Sequence, residues 1–148
     1  MDKLKIYLDN CCYGRPFDDF SQEKIKNEAT AKMFIQTLIQ YKSVLLYYSF
    51  MSLYEINNCP LEENKRHIQN FVISNADTYI SKANYDEIEK LSNEIMLTGI
   101  KQKDATHLAC SIIAKCDYFI TTDGRVTKYI TDKIKVVNPI DFVRIWRA

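Results

Sequence analysis

The chain has 148 residues, 47% of them hydrophobic and 26% charged, which suits one folded domain spanning residues 1–148 and excludes wholesale disorder. With only 3 Gly and 3 Pro, it lacks the material for a long flexible linker or a succession of tight β-turns. A formal net charge of +1 withholds the strongly basic balance that announces phosphate binding, so an anionic partner would have to meet a local basic rim beside offsetting acids.

The opening MDKLKIYLDN carries no apolar run long enough for a signal peptide. Nowhere do the roughly 18–20 apolar residues of a membrane span follow one another, so no membrane association and a cytoplasmic location are expected. Residues 4–8 predict a strand ending at Asp9. Over residues 21–41, Ile25, Ala29, Met33, Phe34, Leu38 and Ile39 recur at helical spacing. A second strand is predicted over 44–48, then a short helix over 50–58 that stops before Pro60.

Helical spacing returns over 61–74 through Ile68, Phe71 and Val72, and 78–81 predicts a short strand. Residues 84–98 predict a helix with Ile88, Leu91 and Ile95 on one face, Asp86 and Glu87 at its start and Gly99 past its end. The clearest helix runs from Asp104 to Lys115, with Ala105, Leu108, Ala109, Ile112 and Ile113 in one apolar stripe. Strands over 118–122 and 134–137 follow, and Phe142, Ile145 and Trp146 predict a closing helical turn. Strands alternating with helices predict an α/β domain with a mostly parallel sheet, whose sites form beyond the carboxyl ends of the strands. The five cysteines, Cys11, Cys12, Cys59, Cys110 and Cys116, lack C-x-x-C spacing and read as free thiols, at least partly buried, in a reducing compartment.

Each notable acid has a plain structural reading. Asp9 can open an Asx-turn, and Ser52-Leu53-Tyr54-Glu55 fits a capping box. Asp104 in a first helical turn favours the dipole or caps amides, and Asp123-Gly124 can be a turn. Together they read differently, because all four are expected after a strand end or in a first helical turn, places that share one rim in an α/β domain. Two unit charges about 4 Å apart cost roughly 4 kcal/mol at an effective dielectric of ~20. Several such pairs would burden a fold whose total stability is about 5–15 kcal/mol. A hard cation neutralises such a cluster, and all-oxygen ligation suits Mg²⁺ or Mn²⁺.

Four segments carry a resemblance to one family. They are IYLDNCCYGRPFDD, SLYEI, GIKQKDATHLACSIIAKCDYFITTDGRV and VVNPIDFV, in that order. The chain resembles the PIN-domain family, including the ribonuclease toxins of bacterial toxin–antitoxin pairs, over essentially its whole length. The resemblance implies a three-layer α/β/α domain with Asp9, Glu55, Asp104 and Asp123 as metal-binding and catalytic acids and Thr121 as a hydroxyl beside them. Asn10 departs from the Thr or Ser common after the first acid but can still hydrogen-bond. Gly124, Arg125 and Val126 replace a further acid found in many members, which puts a second metal in doubt.

Lys101 and Lys103 flank Asp104 and are phosphate candidates, with Arg15 and Arg125 near the same rim. Asp18 and Asp19 read as the end of a loop, and His107, at i+3 from Asp104, as a supporting or packing residue more readily than a general base. The expected activity is hydrolysis of RNA phosphodiester bonds with Mg²⁺ or Mn²⁺, and the resemblance implies 5′-phosphate and 3′-hydroxyl products. It also implies a small antitoxin partner and a homodimer, with apolar groups such as Tyr54, Phe71 and Val72 as surface candidates unless they fill the core. The alternatives are a catalytically silent scaffold of the same fold and a DNA-directed nuclease.

Overall fold

The computed structural model describes residues 2–13 and 23–148. Arg15, the Arg-Pro-Phe-Asp-Asp segment with Asp18 and Asp19, and the side chain of Ile25 lie outside the described residues. Among those described, five strands form one sheet: β1 (Lys5–Leu8), β2 (Leu45–Ser49), β3 (Thr78–Ile80), β4 (Tyr118–Ile120) and β5 (Lys135–Val137). The strand order is β3-β2-β1-β4-β5, and every neighbouring pair is parallel. The helices are α1 (Glu23–Gln40), α2 (Phe50–Asn57), α3 (Glu62–Asn75), α4 (Tyr85–Met96), α5 (Gln102–Ile113), α6 (Gly124–Thr127) and α7 (Pro139–Arg147).

Side chains alternate across the central strands, and each face of the sheet has its own core. Ile6 and Leu8 of β1, Leu46 of β2, and Tyr118 and Ile120 of β4 pack with Ile35 and Ile39 of α1, Phe71 and Val72 of α3, and Phe142 of α7. Tyr7 and Phe119 point the other way, to Ile88 and Ile95 of α4 and Ala105, Leu108 and Ala109 of α5. The result is the three-layer α/β/α architecture. It explains why β1 and β4 read as short continuous apolar runs, since a parallel strand is covered on both faces.

Three features depart from the sequence expectations. Helix α5 begins at Gln102, with Lys101 at its N-cap, so Asp104 is the third helical residue and holds no cap position. The capping box of α2 is formed by Ser49 and Ser52, one turn before the expected Ser52–Glu55 pair, which leaves Glu55 in the second turn with no capping duty. Phe71 and Val72, candidates for an exposed partner surface, are 8% and 2% exposed and fill the core, whereas Tyr54 is 52% exposed. One expectation at a helix end holds, since Gly99 follows α4 at φ +103, a backbone region that suits glycine; at α7 the structure adds a cap by Asn138 with Pro139 next to it. No helix of the described residues is long and apolar enough to cross a membrane.

Candidate metal centre

The strand order reverses between β1 and β4, because β2 lies on one side of β1 and β4 on the other. Such a switch point opens a crevice at the carboxyl ends of the two strands. The main-chain ladder carries one step past the end of β1, with the Asp9 amide donating to the carbonyl of Ile120, the last residue of β4, at 2.9 Å. The Thr121 hydroxyl donates to Asp9 Oδ2 at 2.8 Å and accepts from the Asp123 amide at 3.1 Å. One fully buried threonine thus fixes the first acid and the backbone of the last. Its hydroxyl faces the acids and not solvent, so Thr121 acts as a brace for the site.

Glu55 reaches the crevice from α2, and a histidine from α5 meets it there. Oxygens of Asp9 and Glu55 and a ring nitrogen of His107 all lie within 4.8 Å of one another. His107 Nε2 hydrogen-bonds Glu55 Oε1, and the ring is fully buried. Burial pushes the Glu55 carboxyl up, but the hydrogen bond and charge of His107, aided by Lys103, outweigh it and hold the group below its ordinary range. Behind His107 stands the Tyr7 hydroxyl, 2.6 Å from Nδ1 and bonded to Ser49 Oγ at 2.6 Å and Ser52 Oγ at 3.0 Å. Burial, foremost, raises the Tyr7 phenol well above its ordinary value and keeps it protonated.

Asp104 stands outside the tight group formed by Asp9, Glu55 and His107 but within its field. Burial and then the charges of Asp9, Asp123 and Glu55 push its carboxyl above the ordinary value. That response is the electrostatic mark of acids sharing one rim. Asp123 is held differently. It caps α6 through the Arg125 amide at 2.9 Å, and Arg125 Nε and Nη2 each lie 3.3 Å from one of its oxygens. Those hydrogen bonds, first from the side chain and then from the backbone of Arg125, lower the Asp123 carboxyl. Arg125 is therefore engaged by an acid of the cluster, and a cation at the site would share Asp123 with it.

The remaining candidates line the rim. Asn10 donates from Nδ2 to the Ser52 carbonyl at 3.2 Å, while its Oδ1 is buried with no hydrogen-bond partner among the described residues. Lys101 and Lys103 are exposed. The Lys103 ammonium lies 5.5 Å from the centre of the Tyr54 ring, and Lys101 stands close enough to Asp123 to lower its carboxyl slightly. The donor set fits a hard divalent cation. It combines the carboxylate oxygens of Asp9 and Glu55, with Asp104 in their field, and a spare amide oxygen next to Asp9 in the chain, while both nitrogens of His107 are already engaged, by Glu55 and by the Tyr7 hydroxyl.

Two features of the site are nearly silent in the sequence. His107 sits inside the acid cluster, and its i+3 spacing from Asp104 is the only hint of that place. Tyr7 looks like one more strand residue, yet a tyrosine in a strand buried on both faces must find a partner for its hydroxyl. No protein-family model matches this chain, and no curated protein matches it either.

Proposed function

We propose that this protein is a divalent-metal-dependent ribonuclease of the PIN type, working as a cytoplasmic toxin-like enzyme. The observation that carries the reading is the meeting of Asp9 and Glu55 at the β1–β4 switch point, with Asp104 close enough to be pushed up by both. Asp9, Glu55 and Asp104 would hold Mg²⁺ or Mn²⁺ directly or through water, and Asp123 would complete the set from its place beside Arg125. When bound, the cation supplies an acidified water and an electrostatic partner for charge developing on the phosphate.

The chain's own residues do the rest. Thr121 and the β1–β4 ladder keep Asp9 in place, and His107 keeps Glu55 turned toward it. Lys101 and Lys103 offer positive charge on the rim for the backbone of the nucleic acid. The exposed Tyr54 ring, one residue from Glu55, offers a flat face on which an unpaired base can stack. Arg125 serves Asp123 first and phosphate second. The small antitoxin and the homodimer implied by the resemblance belong to this proposal, and among the described residues Met33, Leu53, Tyr54 and Ile73 on α1–α3 are the exposed large apolar groups open to such partners.

A silent scaffold of the same fold draws on a specific observation. Glu55 and Asp123 already have protein partners, in His107 and Arg125. A cleavage assay separates the two readings. Purified protein is incubated with total RNA and with single-stranded DNA, in Mg²⁺, in Mn²⁺ and in excess chelator. RNA cleavage that needs the divalent ion is expected. Equal cleavage in chelator sinks the carboxylate–metal mechanism, no cleavage under any ion supports the scaffold, and preferential loss of DNA reassigns the substrate.

A further inference from the structure

The polar chain behind Glu55 has a direction that can be worked out from its donors and acceptors. Glu55, held as a carboxylate, only accepts, so His107 Nε2 carries the proton between them. With the ring neutral, Nδ1 is the acceptor and the Tyr7 hydroxyl 2.6 Å away donates to it; a second ring proton would reverse that one bond and leave Nε2–H on Glu55. The Tyr7 oxygen in turn accepts from Ser49 Oγ and Ser52 Oγ. Those two hydroxyl oxygens are themselves fixed by amides of the α2 cap: Ser49 Oγ by Met51 and Ser52, and Ser52 Oγ by Ser49. Every donor has an acceptor, and the chain runs one way from the cap of α2 through β1 and α5 back to the second turn of α2.

Packing fixes the same ring a second time. Tyr7 stacks on Phe119 with centroids 5.4 Å apart and meets the His107 ring edge-on at 5.6 Å. His107 is fully buried, so its Nε2–H is aimed by the core. Glu55 is a long side chain on a helix surface, 29% exposed, and among the described residues His107 is its one hydrogen-bonding tether. Asp9 and Tyr7 lie two residues apart along β1 and its end, so one strand sets the first acid directly and the second through His107.

We infer that His107 is a positioning residue, whose Nε2–H, locked by the Tyr7–Ser49–Ser52 hydrogen-bond chain, holds the Glu55 carboxylate against Asp9 as a preformed half of the cation site. The inference rests on the metal-centre reading and extends it to residues that touch neither cation nor substrate. The imidazole serves as an outer-shell donor to a ligating carboxylate, a role in which loss of the partner costs about 10–100-fold in metal affinity or activity.

Two amide replacements separate this role from simple core filling. In His107→Gln the side-chain nitrogen can occupy the Nε2 position and still donate to Glu55. In His107→Asn the shorter side chain reaches only the Nδ1 side, and Glu55 loses its donor. Mn²⁺ binding by calorimetry and RNA cleavage are measured for both, with thermal melts to confirm folding. His107→Asn should lose about 10–100-fold in Mn²⁺ affinity or kcat, while His107→Gln stays within roughly threefold of wild type. In a Glu55→Gln background, His107→Asn should add no further loss, because it acts through Glu55.

Equal losses for the two amides, or an undiminished His107→Asn effect in the Glu55→Gln background, overturn the positioning role. If a position-107 variant does not fold, Tyr7→Phe removes only the hydroxyl and keeps the ring. Wild-type Mn²⁺ affinity in Tyr7→Phe overturns the chain, and a several-fold loss supports it. Wild-type protein that binds Mn²⁺ but cleaves no RNA defeats the ribonuclease reading alone, and the binding series still decides the role of His107. Wild-type protein that binds no Mn²⁺ defeats both.

Discussion

Asp104 and Asp123 are both aspartates at helix starts, yet their surroundings drive them in opposite directions. Asp104, third in α5 with no cap bond, is raised by burial and by its acid neighbours. Asp123, capped and paired by Arg125, is lowered. Their linkages to pH therefore have opposite signs. A carboxyl raised in the folded state adds stability below its unfolded pKa, and that contribution is lost as pH climbs through the raised value. A lowered carboxyl, here Asp123 or Glu55, adds stability above its unfolded pKa that is lost as pH falls through the lowered value. Asp104→Asn thus removes a penalty that exists only at the higher pH. It also gives up a charge–dipole attraction of about 0.3–1 kcal/mol at the start of α5. Metal-free melts should show the variant within about 1 kcal/mol of wild type at pH 7, and relatively less favourable against it near pH 3. With Mg²⁺, cleavage should collapse. An active Asp104→Asn protein with unchanged Mg²⁺ stabilisation would falsify the ligand assignment.

Helix α2 shows what is legible in the sequence at the scale of elements and what is not. Its boundaries are legible, because Pro60 stops it and the apolar run of β2 precedes it. The end of β1 is too, since a parallel strand covered on both faces leaves a short apolar run that stops where the acid begins, whereas β4 stops at Ile120, two residues short of the expected end at Thr122. The cap of α2 lies one turn away from its sequence signature. Ser52 with Glu55 matches the pattern of a capping box, but Ser49 and Ser52 form it in space. Glu55 and Tyr7 share one partner on α5, His107, which lies 52 residues from the first and 100 from the second. No local periodicity encodes such contacts; they arise from β1, β2 and α5 packing together. Ser49 is where local and tertiary duties meet, since its hydroxyl both caps α2 and bonds Tyr7. An N-cap replacement costs about 0.5–2 kcal/mol and a buried hydrogen bond about 1 kcal/mol. Ser49→Ala should thus lose roughly 1.5–3 kcal/mol in urea unfolding. Ser81→Ala, the exposed cap of the short 3-10 turn over residues 82–84, should lose no more than about 1 kcal/mol. Similar losses at the two serines would mean that Ser49 does no more than cap.

At the scale of the molecule, a nearly neutral chain gathers acids from β1, α2, α5 and the β4–α6 junction into one crevice. Asp104 carries a cost of that gathering in its raised carboxyl, while His107 and Arg125 hold Glu55 and Asp123 down. A cation that binds only the folded protein stabilises it by mass action, by about 2.7 kcal/mol at one hundred times its dissociation constant. For a domain near 150 residues, each kcal/mol moves the melting temperature by roughly 2–4 °C. Saturating Mg²⁺ or Mn²⁺ should therefore raise it by about 5–11 °C, and chelator should reverse the gain. The rise should grow with the logarithm of cation concentration. It should also be larger at pH 7 than at pH 4, because protonated carboxyls do not ligate and Asp104, with its raised carboxyl, protonates early as pH falls. Ca²⁺ at equal ionic strength tests for unspecific charge screening, and Glu55→Gln tests for the site itself. Screening alone would give the same small rise for all three ions and for the variant. A resident cation would give unequal rises for the ions and a markedly smaller one in Glu55→Gln, because that variant removes a charged ligand from one side of the crevice. Wild-type melts that do not move with any divalent ion would leave the four acids as a surface cluster held by Thr121, His107 and Arg125 alone.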